Sequence, residues 1–348
     1  MKILVVTTQV PFVRGGAEIL ADGLVEALCT AGYEAEIVAV PFKWYPPERI
    51  LDTMLACRLL DISESCGQAV DRVIALKFPA YLIPHSNKVM WLLHQHRTAY
   101  DLWHTHYCDL MHFANGVQIR EAIINADNQA LKEYKSIYTI AGNVSRRLKK
   151  FNQVDSIPIY HPPKNSELFY CEDINDYFFF PSRLTTIKRQ ELVIKALVET
   201  KNPIKVLFAG KADTVIYAEH LKSLVKKLHI AKRVVFLGQI SEEEKIRTYA
   251  KSLGVIYPPL DEDYGYVTLE AMLASKPVIT CTDSGGSLEF IRHEETGLFA
   301  EPTSTSLAAA MDQLWENRSW AQTLGKAGKD YYDSLNISWS TVVQKLVS

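Results

Sequence analysis

The chain has almost no excess of charge of either sign. Its 38 lysines and arginines are matched by 40 aspartates and glutamates, for a net charge of −2. A dedicated nucleic-acid binder would show a basic domain, so no nucleic-acid partner is expected. Disulfide and zinc frameworks are missing too. The six cysteines, Cys29, Cys57, Cys66, Cys108, Cys171 and Cys281, are scattered and form no C-x-x-C pair. They read as buried, reduced thiols of a cytoplasmic protein. No apolar run reaches the roughly 18 residues that a membrane span requires. The opening run Met1–Val6 stops at Thr7, too short for the core of a secretory signal, and reads as a buried strand. There is no G-x-G-x-x-G, so a dinucleotide redox cofactor has no support, and no cofactor of any kind is expected. Low-complexity tracts and short repeats are absent as well.

What is present is alternation. Short apolar runs rich in β-branched residues are separated by segments of helical period, the pattern of parallel sheets covered on both faces. Strands are expected at 2–8, 36–40, 72–76, 88–93, 136–140 and 156–160. Between them the clearest helix follows Gly15-Gly16, with Ile19, Leu20, Leu24, Val25 and Leu28 on one face. The pattern breaks at His161-Pro162-Pro163-Lys164-Asn165 and stays polar to Asp176, which marks a linker. A second alternating series follows, with strands at 177–180, 204–209, 234–237, 254–257 and 277–281 and a helical end. With 348 residues, 48 % of them hydrophobic, the chain can fill two cores of similar size.

Several strand-to-helix loops carry residues suited to a phosphorylated ligand. One runs Pro258-Pro259-Leu260-Asp261-Glu262-Asp263-Tyr264-Gly265 and enters a helix at Tyr266. Open α/β sheets bind ligands outside the carboxyl ends of their strands, which puts Glu262 and Glu270 at the correct edge. A carboxylate accepts two hydrogen bonds and so suits vicinal sugar hydroxyls. The amides around Tyr266–Thr268 start a helix and favour a diphosphate. Arg183 and Lys188 lie in an earlier loop of the same kind and suit the charge of a departing diphosphate. Gly15-Gly16 and Gly285-Gly286 are turns where backbone can approach a ligand. Taken singly, Glu262 reads better as part of a solvated acidic loop and the cation pair as a surface basic loop, Glu270 as a charge that complements the helix dipole, and each glycine pair as a common tight turn.

As an ordered set, these residues resemble glycosyltransferase family 4, the retaining enzymes of GT-B fold. The matching pieces are Gly15-Gly16-Ala17-Glu18, Arg183 with Lys188, and the E-x7-E element Glu262–Glu270. Pro277-Val278-Ile279 with the following Gly-Gly-x-x-Glu, and Thr296-Gly297-Leu298-Phe299, complete the set. The resemblance covers nearly the whole chain. It implies an α/β fold of two Rossmann-like domains whose parallel sheets face a central cleft. The domains are expected at 1–165 (acceptor side) and 166–325 (nucleotide sugar), with helices at 326–348 packing back on the first. It implies retaining, metal-independent transfer of a hexose from a UDP- or GDP-linked sugar to a glycan or lipid-linked saccharide, as in polysaccharide biosynthesis.

Residue by residue, it implies that Glu270 binds the ribose, Glu262 touches the donor sugar, and Arg183 and Lys188 hold the diphosphate. Gly15 and Gly16 would approach the phosphates. Gly210, Gln239 and Ile240, with Tyr264, Gly265, Tyr266 and Val267, complete the nucleotide-sugar set. The segment Phe236–Ile240 would hold the base through its main chain. Departures are Glu262-Asp263-Tyr264-Gly265 for the common Glu-Pro-Phe-Gly, His161-Pro162-Pro163 for Asn-Gly-Val-Asp, and Gly142 or Asn143 for a usual serine. These leave the donor's base and sugar open. A sugar-nucleotide epimerase of the same fold and a non-catalytic nucleotide-sugar-binding subunit remain as alternatives.

Six of the ten histidines lie between 85 and 112. His94 follows a strand, where the resemblance places a histidine or aspartate against the donor sugar. His96, Arg97 and Tyr100 are acceptor-side candidates. The His94-x-His96 pair could also ligate a metal, but no cysteine or carboxylate spacing completes a set, and no metal site is expected. Arg146, Arg147, Lys149 and Lys150, with Trp44 and Tyr45 on another loop, suggest peripheral contact with anionic lipid at the inner face of a membrane. A solvated helix end explains the same cluster.

Overall fold

The computed structural model describes all residues, 1–348. The chain divides into two compact units, Met1–Lys164 with Ser338–Ser348, and Asn165–Ile337.

In the first unit, β1 (Lys2–Gln9), α1 (Gly16–Thr30), β2 (Glu34–Pro41) and α2 (Glu48–Leu59) lead into a small hairpin, β3 (Glu64–Ser65) and β4 (Gln68–Ala69). Then follow β5 (Arg72–Ala75), β6 (Lys88–Leu92), α3 (Gly116–Ala130), β7 (Ile137–Thr139), α4 (Gly142–Asn152) and β8 (Ile157–Pro158). The sheet order is β2-β1-β5-β6-β7-β8, with every neighbour parallel. Both faces are covered, and β6 is buried throughout, so it reads as a continuous apolar run rather than an alternating one. Helix α1 buries Leu20, Ala21, Leu24 and Leu28, one face at a spacing of three to four. Ile19, expected on that face, is exposed.

The second unit repeats the plan with β9 (Phe178–Pro181), α5 (Gln190–Glu199), β10 (Val206–Ala209), α6 (Val215–Lys227), β11 (Val234–Gly238), α7 (Glu242–Lys251) and β12 (Gly254–Ile256). It continues with α8 (Tyr266–Leu273), β13 (Val278–Cys281), β14 (Gly297–Ala300), α9 (Ser304–Glu316) and α10 (Arg318–Ser334). Its parallel order is β11-β10-β9-β12-β13-β14. The central strand β9 buries Phe178, Phe179 and Phe180 completely, on both faces of the sheet. β14 and the β3–β4 hairpin have no counterpart in the strand expectations. Both are short, and the β14 sequence Gly-Leu-Phe-Ala carries little periodicity.

The linker expectation meets a boundary between Lys164 and Asn165. The polar stretch beyond it belongs to the second unit, pinned by backbone bonds from Glu172 to Ala250 and from Asn175 to Lys251. The expected return to the first domain at 326 begins only at Ser338. Helix α10 stays on the second unit because Gly325 allows close approach: a Cβ there would lie 2.1 Å from the Ser275 carbonyl oxygen. Helix α11 (Trp339–Val347) is the returning element. The Trp339 ring packs over Gly23 and edge-on to Trp91, and Arg72 donates to the carbonyl of Leu346 at 2.8 Å.

Candidate active site

In each sheet the strand order reverses once, and at such a switch point the loops beyond the carboxyl ends diverge and leave a crevice. In the second unit the reversal falls between β9 and β12. The loops after these two strands are the two that carry the cations and the carboxylates.

The loop after β9 holds Arg183, Lys188 and Arg189. Arg183 is exposed and pairs with Asp213 at 2.7 Å. Lys188 is half-buried; its Nζ donates to the Tyr257 hydroxyl at 2.8 Å and forms an ion pair with Glu262. Arg189 has a left-handed backbone (φ 60°) and makes two hydrogen bonds to Asp283, at 2.7 and 2.6 Å. The loop after β12 is stitched to its neighbours. Leu260 N donates to Ile187 O, Asp261 N to Asp283 O, and Gly286 N to Glu262 O. A Cβ at Gly286 would stand 2.4 Å from the Asp263 carbonyl oxygen. The close approach that this glycine permits is therefore to the acidic loop.

Gly265 precedes α8 with φ 85° and packs under Ser287. The first turn of α8 then presents its amides at the edge of the sheet. The hydroxyls of Thr268 and Ser287 are buried there without a hydrogen-bond partner. Glu270, one turn further on, is nearly buried and accepts from Lys245 Nζ and Tyr249 OH, each at 2.8 Å. Burial works against the Lys245 charge, but the Glu270 and Glu242 carboxylates outweigh it and raise its pKa. Gly210, with φ 146°, passes so close to Ser182 that a Cβ would lie 2.2 Å from its carbonyl oxygen. Its N–H donates to Gly238 O at 2.7 Å, which joins the Arg183 loop to Gln239 and Ile240.

The structure thus gathers Arg183, Lys188, Gly210, Gln239, Ile240, Glu262, Gly265, Tyr266, Val267 and Glu270 along one edge of the second sheet. Tyr264 differs from the rest. Its ring is buried edge-on to Tyr266 and Phe290, so only its main chain is available to a ligand. Reading the sequence did not single out Arg189, Asp213, Asp283 or Lys245. Their partners are 94, 30, 94 and 25 residues away, and no local pattern signals such pairings.

In the first unit the order reverses between β1 and β5. Gly15 caps α1 and its N–H donates to Glu18, which Lys77 of the β5 loop also reaches. A Cβ at Gly15 would meet only the Glu18 carboxylate, at 3.8 Å. Packing within the unit does not demand glycine there. The neighbouring Gly16 is exposed at the start of the helix. His94 follows β6, half-buried, with Nδ1 at 2.7 Å from the Gln95 carbonyl. That partner can only accept, so Nδ1 carries the hydrogen.

Of the acceptor-side candidates, Arg97 is held by Asp101 through two bonds of 2.8 and 2.7 Å. His96 packs among Phe42, Phe78 and Thr98. Burial, with the nearby His94, lowers its pKa to about 4. Tyr100 is buried, and its hydroxyl is committed to Asp127 at 2.6 Å. His96 and Tyr100 therefore turn inward, with their polar atoms committed to partners within the unit. A sequence pattern shows that they are polar and aromatic, but not which way they point.

Two surface expectations also change. Arg147 is buried beside Asp101, so only three of the four cations in the 146–150 cluster reach solvent. Cys29, Cys66 and Cys171 are exposed and only Cys57, Cys108 and Cys281 are buried, all six as free thiols. No group of three or more His, Cys, Asp or Glu side chains is placed to hold a metal ion.

Two parallel six-stranded sheets of this order make up a GT-B fold. The architecture is similar to that of sucrose-phosphate synthase from Thermosynechococcus elongatus (TM-score 0.81, 17 % identical, 99 % of this chain and 96 % of that). It is also similar to Anabaena HepE in complex with UDP-glucose (TM-score 0.72, 17 %, 100 % and 98 %). Residues 172–331, just under half of the chain, match the family described as glycosyl transferases group 1. An uncharacterised glycosyltransferase of Methanocaldococcus jannaschii is 24 % identical over all of this chain and 97 % of its own. The mouse alpha-1,3/1,6-mannosyltransferase ALG2 is 32 % identical over 165 residues, 44 % of this chain and 40 % of that enzyme. The match to the mannosyltransferase therefore spans less than half of either protein.

Proposed function

We propose that this glycosyltransferase moves a hexose from a UDP- or GDP-linked sugar to a glycan or lipid-linked saccharide, with retention of configuration and without a metal. The observation that carries the reading is the convergence, at the β9/β12 reversal, of two cations, a helix start and two carboxylates. Arg183 and Lys188 exchange Asp213 and Glu262 for the diphosphate, together with the α8 amides. Glu262, released from Lys188, turns to the donor sugar; the family resemblance gives His94 a role toward that sugar as well. Glu270, oriented by Lys245 and Tyr249, takes the ribose hydroxyls. The main chain of Gly238–Ile240 holds the base. As the bond to the sugar breaks, negative charge grows on the diphosphate and is met by groups already in place, the arrangement that lowers a barrier most. Retention and metal independence follow the family resemblance, in which a diphosphate oxygen takes the acceptor proton.

Mannose is the first sugar to test, because the stretch similar to the mouse mannosyltransferase and to the Salmonella O-antigen mannosyltransferase RfbU covers over two fifths of this chain. The deciding experiment is a thermal-shift panel of UDP-glucose, GDP-mannose, UDP and GDP, with turnover of the stabilising sugar nucleotide measured in EDTA. Binding to the native state raises the melting temperature by mass action. Stabilisation by neither nucleotide series rejects the donor site; an absolute need for Mg²⁺ or Mn²⁺ rejects metal independence. An inverted product anomer by NMR rejects retention.

A further inference from the structure

Asp127, on α3, is fully buried, and no lysine or arginine pairs with it. Its partners are polar but neutral. Tyr81 OH donates to Oδ1 at 2.8 Å and Tyr100 OH to Oδ2 at 2.6 Å. Gln95 Nε2 stands 3.4 Å from Oδ2 and donates to Asn152 Oδ1 at 2.9 Å. An acid buried without a cation is a poor way to stabilise a core. What it supplies is direction, since each carboxylate oxygen fixes where a donor must point. Two of its three partners, Gln95 and Tyr100, belong to the segment after β6 that carries His94, and His94 Nδ1–H bonds to the Gln95 carbonyl. The Arg97–Asp101 pair makes that segment stiff between them.

We propose that Asp127 is a positioning residue for the transfer reaction: through Tyr100 and Gln95 it fixes the 94–101 segment and so holds the His94 imidazole in one orientation. This rests on the assignment of His94 to the donor sugar. Tyr81 is the internal control, because it makes the same kind of bond to the same carboxylate from a turn outside the His94 segment.

The test compares Asp127→Asn, Tyr100→Phe, Tyr81→Phe and His94→Ala. For each, release of nucleoside diphosphate from GDP-mannose and UDP-glucose gives kcat, and calorimetry with GDP and UDP gives nucleotide affinity. Long-range ¹H–¹⁵N spectra of the free proteins report the His94 ring. Asp127→Asn and Tyr100→Phe should lower kcat about tenfold to a hundredfold, the scale of a misplacement near 1 Å. Nucleotide affinity should stay within about twofold, and the His94 ring signals should shift. Tyr81→Phe should lower the melting temperature while leaving kcat and the His94 signals as in the wild type. If Tyr100→Phe also leaves both unchanged, or if Tyr81→Phe alters them as much, Asp127 is merely structural and the proposal falls. Should Asp127→Asn not fold, Tyr100→Phe against Tyr81→Phe decides. Normal turnover by His94→Ala removes the catalytic assignment of His94; the spectra then still decide whether Asp127 positions it.

Discussion

At the residue scale, the cations and carboxylates of the second unit separate by when they act. In the proposed donor site Arg183 and Lys188 meet charge that grows in the transition state, so Arg183→Ala and Lys188→Ala should each lower kcat by about 10²–10³. Glu270 is proposed to hold ribose hydroxyls, which do not change during transfer. Glu270→Gln should therefore raise donor KM more than it lowers kcat, and weaken GDP or UDP binding in a calorimeter. Buried titratable groups of the first unit predict opposing pH effects on stability. Burial raises the Asp127 pKa to about 7, so the native state holds a proton that the unfolded chain has lost. Stability from this group is lost as pH rises from about 4 to about 7. Burial lowers His96 to about 4 and His161 to about 3. Their effect runs the other way, with stability lost as pH falls below about 6.5. Melting curves from pH 5 to 8 should show Asp127→Asn gaining on the wild type as pH rises; a constant difference would mean that Asp127 does not titrate there.

At the scale of elements, the site is a set of loops laced edge to edge. Gly286 shows the demand most clearly, because its Cα faces the Asp263 carbonyl. Gly286→Ala should displace the acidic loop, destabilise the protein by about 1–3 kcal/mol in denaturant titration, and weaken nucleotide binding with it. The Arg183–Asp213 pair is close to half-exposed on both sides, and such pairs contribute about 0.2–1 kcal/mol. If Arg183 binds the diphosphate as proposed, Asp213→Asn should free it and tighten GDP or UDP binding modestly; looser binding would show that Asp213 orients Arg183 instead. The alternation of apolar runs made most strands and the two-sheet plan legible. The edges were harder: the two-residue strands of the β3–β4 hairpin are too short for a period to register, and β14, Gly-Leu-Phe-Ala, has no β-branched residue to mark it.

At the scale of the whole chain, the last helix belongs to the first unit, clamped by Trp339 over Gly23 and beside Trp91 and His161. Trp339→Ala should lower the melting temperature and reduce the free energy of unfolding by about 1–3 kcal/mol for a half-buried ring of this size. An unchanged curve would show that the return helix is not coupled to the fold. No helix is long and apolar enough to cross a membrane. Peripheral contact would rely on exposed Arg146, Lys149 and Lys150. Lys149 already pairs with Asp155. If these cations dock on anionic lipid, vesicles rich in phosphatidylserine should sediment the protein at low salt and release it at high salt. Replacing all three with Gln should abolish sedimentation; wild-type protein that stays in the supernatant rejects membrane contact.

By itself the sequence determined the class of fold and the loops that matter. Hydrophobic period is a local property, and a strand feeding a helix through Gly265 or through Arg183–Lys188 marks the carboxyl edge of a sheet wherever it occurs. The order of Arg183, Lys188, Glu262 and Glu270 along the chain was likewise enough to suggest a diphosphate and sugar hydroxyls. Only the tertiary structure decided which charges meet. Lys188 finds Glu262 across 74 residues and Arg189 finds Asp283 across 94. These pairings arise because β9, β12 and β13 lie side by side in the sheet. The tertiary structure also turned Tyr100 and His96 inward and set a cation-free acid, Asp127 of α3, against Gln95 and Tyr100 of the segment that carries His94. Burial and direction are set by what packs around a side chain, and residues distant along the chain supply that surrounding.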